Sequence, residues 1–376
     1  MSGFASALRI PGRDARKLIV GLVLAAIYFG LAGALGMLFM QWLTRQSFGP
    51  DSAAKHGIST KRSSRLGGVA VLVITCTLMA FSDYLSPGAV LFKDAPVKYF
   101  SIFLVASCIS LGLWDDLSEG GLQPRTRLFI LSLVYAITLF GLPTLIPSSL
   151  GFAPLDFVMS IPPVGLVLTI IFCVGLLNAI NMADGANGLV PGIALLSFFF
   201  FSLLDASPVW SYLVVGFGIF LIFNLISGRL FLGDAGSYGV ASLLSLGGLF
   251  IVSQGAASPW LMAATLSYPC LEMLLSMVRR SFRGKSMFLP DNDHFHNRLH
   301  ALLRRYFKGG GLPNALTGLT IALASSGVPL FLYYVGWLTA MDERWALVFL
   351  IQCLVYGLAY FQLGRLIRRW PSATVI

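Results

Sequence analysis

Asp115 and Asp116 stand side by side in LGLWDDLSE, residues 111–119, and Asp234 opens the tight turn GDAGS, residues 233–237. Adjacent carboxylates repel unless a cation, or the metal of a bound phosphate, sits among them. Asp234 has the character of a Mg²⁺ ligand, because magnesium takes one or two carboxylates together with substrate phosphates. The run NAINMADGANGL, residues 178–189, carries Asn178, Asn181, Asp184 and Asn187 at a spacing of three. That spacing gathers them on one face of a helix end, or on the turn leaving it, as a site for a cation or a phosphorylated ligand. Two basic stretches accompany the acids. KHGISTKRSSRLGG, residues 55–68, brings Lys55, Lys61, Arg62 and Arg65 to Gly67-Gly68 at a helix start, a combination suited to phosphate. FLPDNDHFHNRLH, residues 288–300, alternates His294, His296 and Arg298 behind Asp291 and Asp293. H-x-H without cysteine is weak evidence for zinc. With Arg279, Arg280, Arg283 and Lys285 close by, donors for a diphosphate fit better. Phe231 precedes Asp234 by three residues and has the ring to stack on a nucleobase.

Each feature also has a plain structural reading. The acidic pair suits a solvated helix end, Asp234 an N-cap, the basic loop a topology signal, Phe231 ordinary packing, and the Asn run a polar loop. Glu272, beside Pro269, is acidic within an apolar run; it pairs inside the bundle or faces a polar groove.

The elements that must position these groups are membrane spans. Of 376 residues, 57% are hydrophobic and 11% charged, and mean hydropathy is +0.82. A soluble chain carries about 25% charged residues, so the bilayer must be the solvent. The net charge of +10 then points to anionic lipid and phosphate partners rather than nucleic acid. Apolar runs at roughly 17–43, 66–82, 97–113, 128–146, 163–180, 188–204, 209–227, 236–254, 259–278, 315–340 and 345–364 are each near the ~20 residues of a spanning helix. The expectation is an all-α polytopic protein of about eleven helices, one multispan domain over 1–376. Cys76, Cys108, Cys173, Cys270 and Cys353 all lie in apolar runs, as small hydrophobes without a disulfide framework. No cleavable signal peptide is visible at the start.

Eleven spans put the termini on opposite sides, and every polar island falls on the side richer in Lys and Arg. That side is cytoplasmic by the positive-inside rule. The basic N-terminal segment, Arg9 to Lys17, pulls the other way. Carboxylates, basic groups, His and Asn on one face suggest metal-assisted chemistry on phosphates, with a lipid as one substrate. A secondary transporter is the reading from another class. It requires access from both sides, and the islands occupy one. A scaffold that has lost activity is opposed by the complete Asp and Asn set.

NAINMADGANGL followed about forty residues later by FLGDAGS, with the pair at 115–116 and HFHNRL, resembles the polyprenyl-phosphate N-acetylhexosamine-1-phosphate transferases. The resemblance covers nearly the whole chain, and it is to the branch that starts O-antigen, enterobacterial common antigen or teichoic acid chains. The lipid I-forming branch is the alternative. It implies a bacterial inner-membrane enzyme with a cytoplasmic active site, joining a UDP-N-acetylhexosamine to undecaprenyl phosphate with release of UMP. UDP-GlcNAc is the common donor and 6-deoxy sugars stay open. It implies Mg²⁺, replaceable by Mn²⁺, held by Asp234 and Asn181. Asp115, Asp116, Asp184, His294 and His296 would form the catalytic set, and Lys55, Arg65, Asn187, Phe231 and Arg298 would bind substrate. Partners are those two substrates and membrane lipids, with no nucleic acid and a homodimer left open. Two positions depart from the family pattern. Asn297 stands where its histidine motif ends in His, and Ser63-Ser64-Arg65 replaces a proline-containing first-loop motif.

Overall fold

A computed structural model describes residues 12–45, 50–51, 63–85, 94–118, 121–284, 293–307 and 311–369. Helices form wherever the sequence runs apolar, and proline marks many of their starts. Pro96, Pro124, Pro162, Pro208 and Pro259 each occupy one of the first two positions of a helix, where the missing N–H costs nothing. In chain order the helices are α1 (Gly12–Leu43), α2 (Gly67–Leu85), α3 (Ala95–Leu117), α4 (Pro124–Gly141), α5 (Ala153–Met159), α6 (Pro162–Ala183), α7 (Leu189–Leu204) and α8 (Pro208–Ser227). They continue with α9 (Gly233–Ser253), α10 (Pro259–Thr265), α11 (Ser267–Phe282), α12 (Phe295–Tyr306), α13 (Gly311–Ala322), α14 (Val328–Tyr334) and α15 (Trp345–Arg369). A π-turn, Leu323–Gly327, joins α13 to α14. Among the described residues the only strand pairing is the two-residue ladder of β1 (Pro50–Asp51) with β2 (Ser63–Ser64). The all-α polytopic expectation holds. Every apolar run has become a helix, and among the described residues eight helices, where about eleven spans were expected, are long and apolar enough to cross a membrane. A ninth span is counted if α10 and α11, bent by 75° at Leu266, cross together. Leu189–Leu204 is apolar but shorter.

The bundle is built around α9, whose apolar window is 78% buried against 11% for α15. It packs on α2, α3, α6 and α7, and small residues let the backbones close up. A Cβ added to Gly112 would lie 2.3 Å from the Asp234 carbonyl oxygen, and one on Gly68 would lie 2.2 Å from Gly236 Cα. Small residues at contacts are how helices associate in lipid, where no hydrophobic force draws them together. On the outside Leu31, Phe140, Phe157 and Phe331 are exposed. Such surface is tolerable only against acyl chains.

The first apolar run departs from expectation. By length and composition Arg16–Leu43 qualifies as one span, but Gly30 takes φ 57°, ψ −141°, a conformation open to glycine, and the helix folds back there. Gly33 comes against the Ala25 carbonyl, Gly21 against Met37, and Lys17 lines one small cavity together with Gln41 and Arg229. In a straight helix residues 21 and 37 would be about 24 Å apart. The tip rests beside the middle of α8, with Phe29 at Gly218 and Gly36 at Ile219. The run is a re-entrant hairpin, with both ends on one side. The opposite placement of the termini is thereby corrected: Arg16 and Lys17 now join Arg365 and Arg368 at one end of the bundle. Among the described residues only Lys98 and Arg344 are basic and lie at the other end, so the charge asymmetry no longer contains a contradiction. In a cysteine-free background, Arg16→Cys and Arg365→Cys are expected to react with an impermeant maleimide from the same face of sealed vesicles. A straight α1 would put them on opposite faces.

Candidate active site

The polar islands meet because loops zip together by backbone bonds. Ser64 N donates to Arg229 O (2.9 Å), Phe231 N to Ser64 O (2.9 Å), Gly67 N to Phe231 O (2.8 Å) and Gly68 N to Leu232 O (2.9 Å). This lays residues 64–68 along 229–232 and brings Arg65 to the start of α9. Gly233 makes the corner at φ 71°, where a Cβ would sit 2.3 Å from Arg65 O and 2.7 Å from Asp116 Oδ2. Only glycine combines that backbone conformation with that closeness.

Asp115 and Asp116 end α3 at the same place. Asp116, with its side chain fully buried, accepts from Ala235 N at 2.9 Å, and Arg65 Nη1 is 3.9 Å from its Oδ1. Asp115 accepts from Arg127 Nη1 at 2.8 Å and from Leu122 N at 2.6 Å. Asp234 is hydrogen-bonded with Asn181 and lies within electrostatic reach of Asp115, Asp116, Arg65 and Arg127. Asn181 Oδ1 in turn accepts from Ser237 Oγ at 3.1 Å. Three carboxylates thus share one buried pocket with two guanidinium groups. Asp116 Oδ1 and the Tyr238 hydroxyl are buried there without a hydrogen-bond partner, so the cluster keeps oxygen capacity that the protein does not use. Among the described residues no three His, Cys, Asp or Glu side chains are placed to grip an ion by themselves.

The second half of the site is the HFHNRL segment at the start of α12. His294 and His296 stack with ring centroids 5.3 Å apart, 11° from parallel. His296 Nδ1 lies 3.1 Å from the Tyr268 hydroxyl. Its Nε2 points at Gly185, where a Cβ would approach to 2.4 Å. His296 therefore reaches the loop that leaves α6, four residues beyond Asn181. Burial, with His294 beside it, pushes the His296 imidazole down to about 4, so the ring is neutral at pH 7. Because the folded value lies below the unfolded one, this group costs stability as pH falls through 6.5 toward 4. Gly185→Ala is expected to push the ring aside and lower turnover by about 10- to 100-fold. Gly175→Ala, whose Cβ meets only Met273 Cε at 3.6 Å, is the matched control; equal kcat for the two variants would refute this role for Gly185.

Several expected residues are occupied differently. Lys55 lies outside the described residues. Arg298 is held within the protein: it donates to Asp293 Oδ1 (2.8 Å) and Tyr360 O (2.8 Å), and covers the Tyr360 ring at 3.7 Å. Phe231 is only 6% exposed, with its backbone in the Ser64 ladder, so the ring lies in the protein interior rather than open for stacking. Asn187 is buried as well; its N–H donates to Asn314 Oδ1 at 2.8 Å, leaving its own Oδ1 unpartnered. The amides of Gly67 and Gly68 are spent on α9's leading loop and not on a phosphate. Asp184 caps α6, with its N–H 3.3 Å from Asn181 O.

Other groups were not singled out by sequence. Asn224 accepts from Gly188 N (2.7 Å) and donates to Leu230 O (2.8 Å), tying the two site loops. Its signal was present, an amide inside an apolar run. Arg127 had none, since nothing local says that it turns back on Asp115.

A family model described as glycosyl transferase family 4 matches residues 99–253, the stretch holding Asp115, Asp116, Asn181, Asp184 and Asp234. Undecaprenyl-phosphate alpha-N-acetylglucosaminyl 1-phosphate transferase of Thermotoga maritima is 32% identical over 248 residues, 66% of this chain and 70% of that one. Proteins of the same description from Yersinia pestis and Escherichia coli (strain K12) are each 26% identical, over 81% and 83% of this chain and 83% and 82% of theirs. The chain belongs to glycosyl transferase family 4, among the polyprenyl-phosphate N-acetylhexosamine-1-phosphate transferases.

Proposed function

We propose that the protein transfers N-acetylglucosamine 1-phosphate from UDP-GlcNAc to undecaprenyl phosphate, releasing UMP, at the cytoplasmic face of the bacterial inner membrane. The relatives' described activity supports the reaction. The observation that carries it is the convergence of Asp115, Asp116 and Asp234 with Arg65 and Arg127 at the basic end of the bundle. The product would be the first lipid-linked sugar of an envelope polysaccharide.

An oxygen of the lipid phosphate attacks the β-phosphorus, a new phosphoanhydride bond forms, and the bond to the α-phosphate breaks as UMP leaves. The lipid phosphate is largely dianionic at neutral pH, its second pKa being about 6, so no strong general base is required. Asp234 and Asn181, with the unpartnered Oδ1 of Asp116, would hold Mg²⁺, with Mn²⁺ as a substitute. When bound, the ion neutralises the charge of the diphosphate. Arg65 and Arg127 balance the carboxylates and keep their geometry where the acids are buried. His294 and His296 lie on the side of the sugar diphosphate.

Purified enzyme in lipid nanodiscs with UDP-GlcNAc and undecaprenyl phosphate is expected to release UMP, to stop with EDTA and to restart with Mg²⁺ or Mn²⁺. A panel containing UDP-FucNAc and UDP-QuiNAc tests the donor. No UMP from any donor overturns the reaction, and undiminished release in EDTA overturns the metal.

A further inference from the structure

Glu272 is fully buried in α11, yet its carboxylate is saturated with donors. His294 Nδ1 lies 3.0 Å from Oε1, while Phe295 N–H and the Tyr356 hydroxyl each donate to Oε2 at 2.9 Å. A carboxylate receiving three donors acts as acceptor throughout, so the hydrogen of the His294 contact resides on Nδ1. The neutral ring is then the Nδ1–H tautomer, with Nε2 free of hydrogen on its far side. The main-chain bond to Phe295 fixes the first residue of α12 and with it the angle at which both stacked imidazoles leave the backbone. Around this group stand Tyr268 from α11, His296 from α12 and Tyr356 from α15. Asp293, the remaining nearby acid, is engaged by Arg298 and Arg283.

We propose that Glu272 is a positioning residue for the transfer reaction: by holding His294 Nδ1–H and the amide of Phe295, it presents His294 Nε2 as a hydrogen-bond acceptor toward the bound nucleotide sugar. This rests on the reading above for its substrate and not for its geometry. An outer carboxylate that sets the tautomer and direction of a working imidazole recurs in enzymes, and its loss typically costs 10- to 100-fold. The arrangement also gives α15 a task. Tyr360 accepts from Arg279 through its hydroxyl and from Arg298 through its carbonyl.

The test uses full-length protein in nanodiscs. Glu272→Gln is expected to lower kcat roughly 10- to 100-fold while KM for UDP-GlcNAc moves less than about threefold. Combined with His294→Ala, it adds no further loss, because both changes remove one function. Tyr356→Phe, which leaves His294 and Phe295 on the carboxylate, stays within about threefold of wild type. Losses that multiply in the double variant, or Tyr356→Phe falling as far as Glu272→Gln, overturn the proposal in favour of a helix-holding role. A second readout is independent of turnover. The chain has four histidines, so ¹⁵N-histidine spectra, assigned with His294→Ala, report each tautomer. His294 is expected to carry its hydrogen on Nδ1 in wild type and to lose that state in Glu272→Leu. An Nε2–H ring in the wild-type protein overturns the proposal even if the enzyme turns over, and silence toward every donor overturns only the assigned reaction.

Discussion

Asp234→Ala is expected to lower UMP release by roughly 10³-fold or more, which corresponds to about 4 kcal/mol of transition-state stabilisation. The reason lies in what Asp234 shares. It is hydrogen-bonded with Asn181 and sits among Asp115, Asp116, Arg65 and Arg127, so its removal takes charge from the place where four of the polar islands contribute. The change should spare the fold. The backbone at the corner is set by Gly233 and by the Asp116 bond to Ala235 N, neither of which needs the Asp234 side chain. The measurement is kcat across Mg²⁺ concentrations, together with a thermal melt. Near-normal turnover in well-folded protein would refute the metal role; activity regained at high Mg²⁺ would support it.

Asp116→Asn should cost nearly as much, about 10²- to 10³-fold in kcat, with UDP-GlcNAc affinity retained. The asparagine fits the same space and can still accept from Ala235 N through its oxygen. What it loses is the charge beside Arg65 and the oxygen that has no hydrogen-bond partner. Asp115→Asn should behave differently. Asp115 is committed to Arg127 and Leu122 N, so part of its loss should appear as reduced thermal stability, since a pair buried to this degree leaves an uncompensated charge when broken. Binding isotherms and melts on both variants separate the two cases. Lost nucleotide-sugar affinity in Asp116→Asn would move this residue from turnover to binding.

Much of this architecture could be read from residue types. Helix positions followed from apolar runs of spanning length, and each one appears as a helix. Polar residues interrupting those runs are costly near hydrocarbon, and the structure brings Asp115, Asp116, Asn181 and Asp234 together, with His296 reaching Gly185. Substrate roles for single residues were less legible. Arg298 has the chemistry to bind phosphate, but Tyr360 and Asp293 engage it, and Tyr360 lies far away in the chain; Phe231 has the ring to stack on a base and is buried. Gly67-Gly68 has the flexibility for a phosphate loop and uses it to let α9 come close.

From its sequence alone the chain was committed to a bilayer, to helices and to acid, amide and histidine clusters able to handle phosphate, because hydropathy and functional-group chemistry belong to each residue wherever it lies. Only the folded molecule decided that the first apolar run turns back at Gly30, that Arg127 faces Asp115, and that Glu272 governs His294. Those outcomes depend on which helices pack together, since a donor finds its acceptor within about 3 Å and distance in space between remote segments is not encoded at any single position.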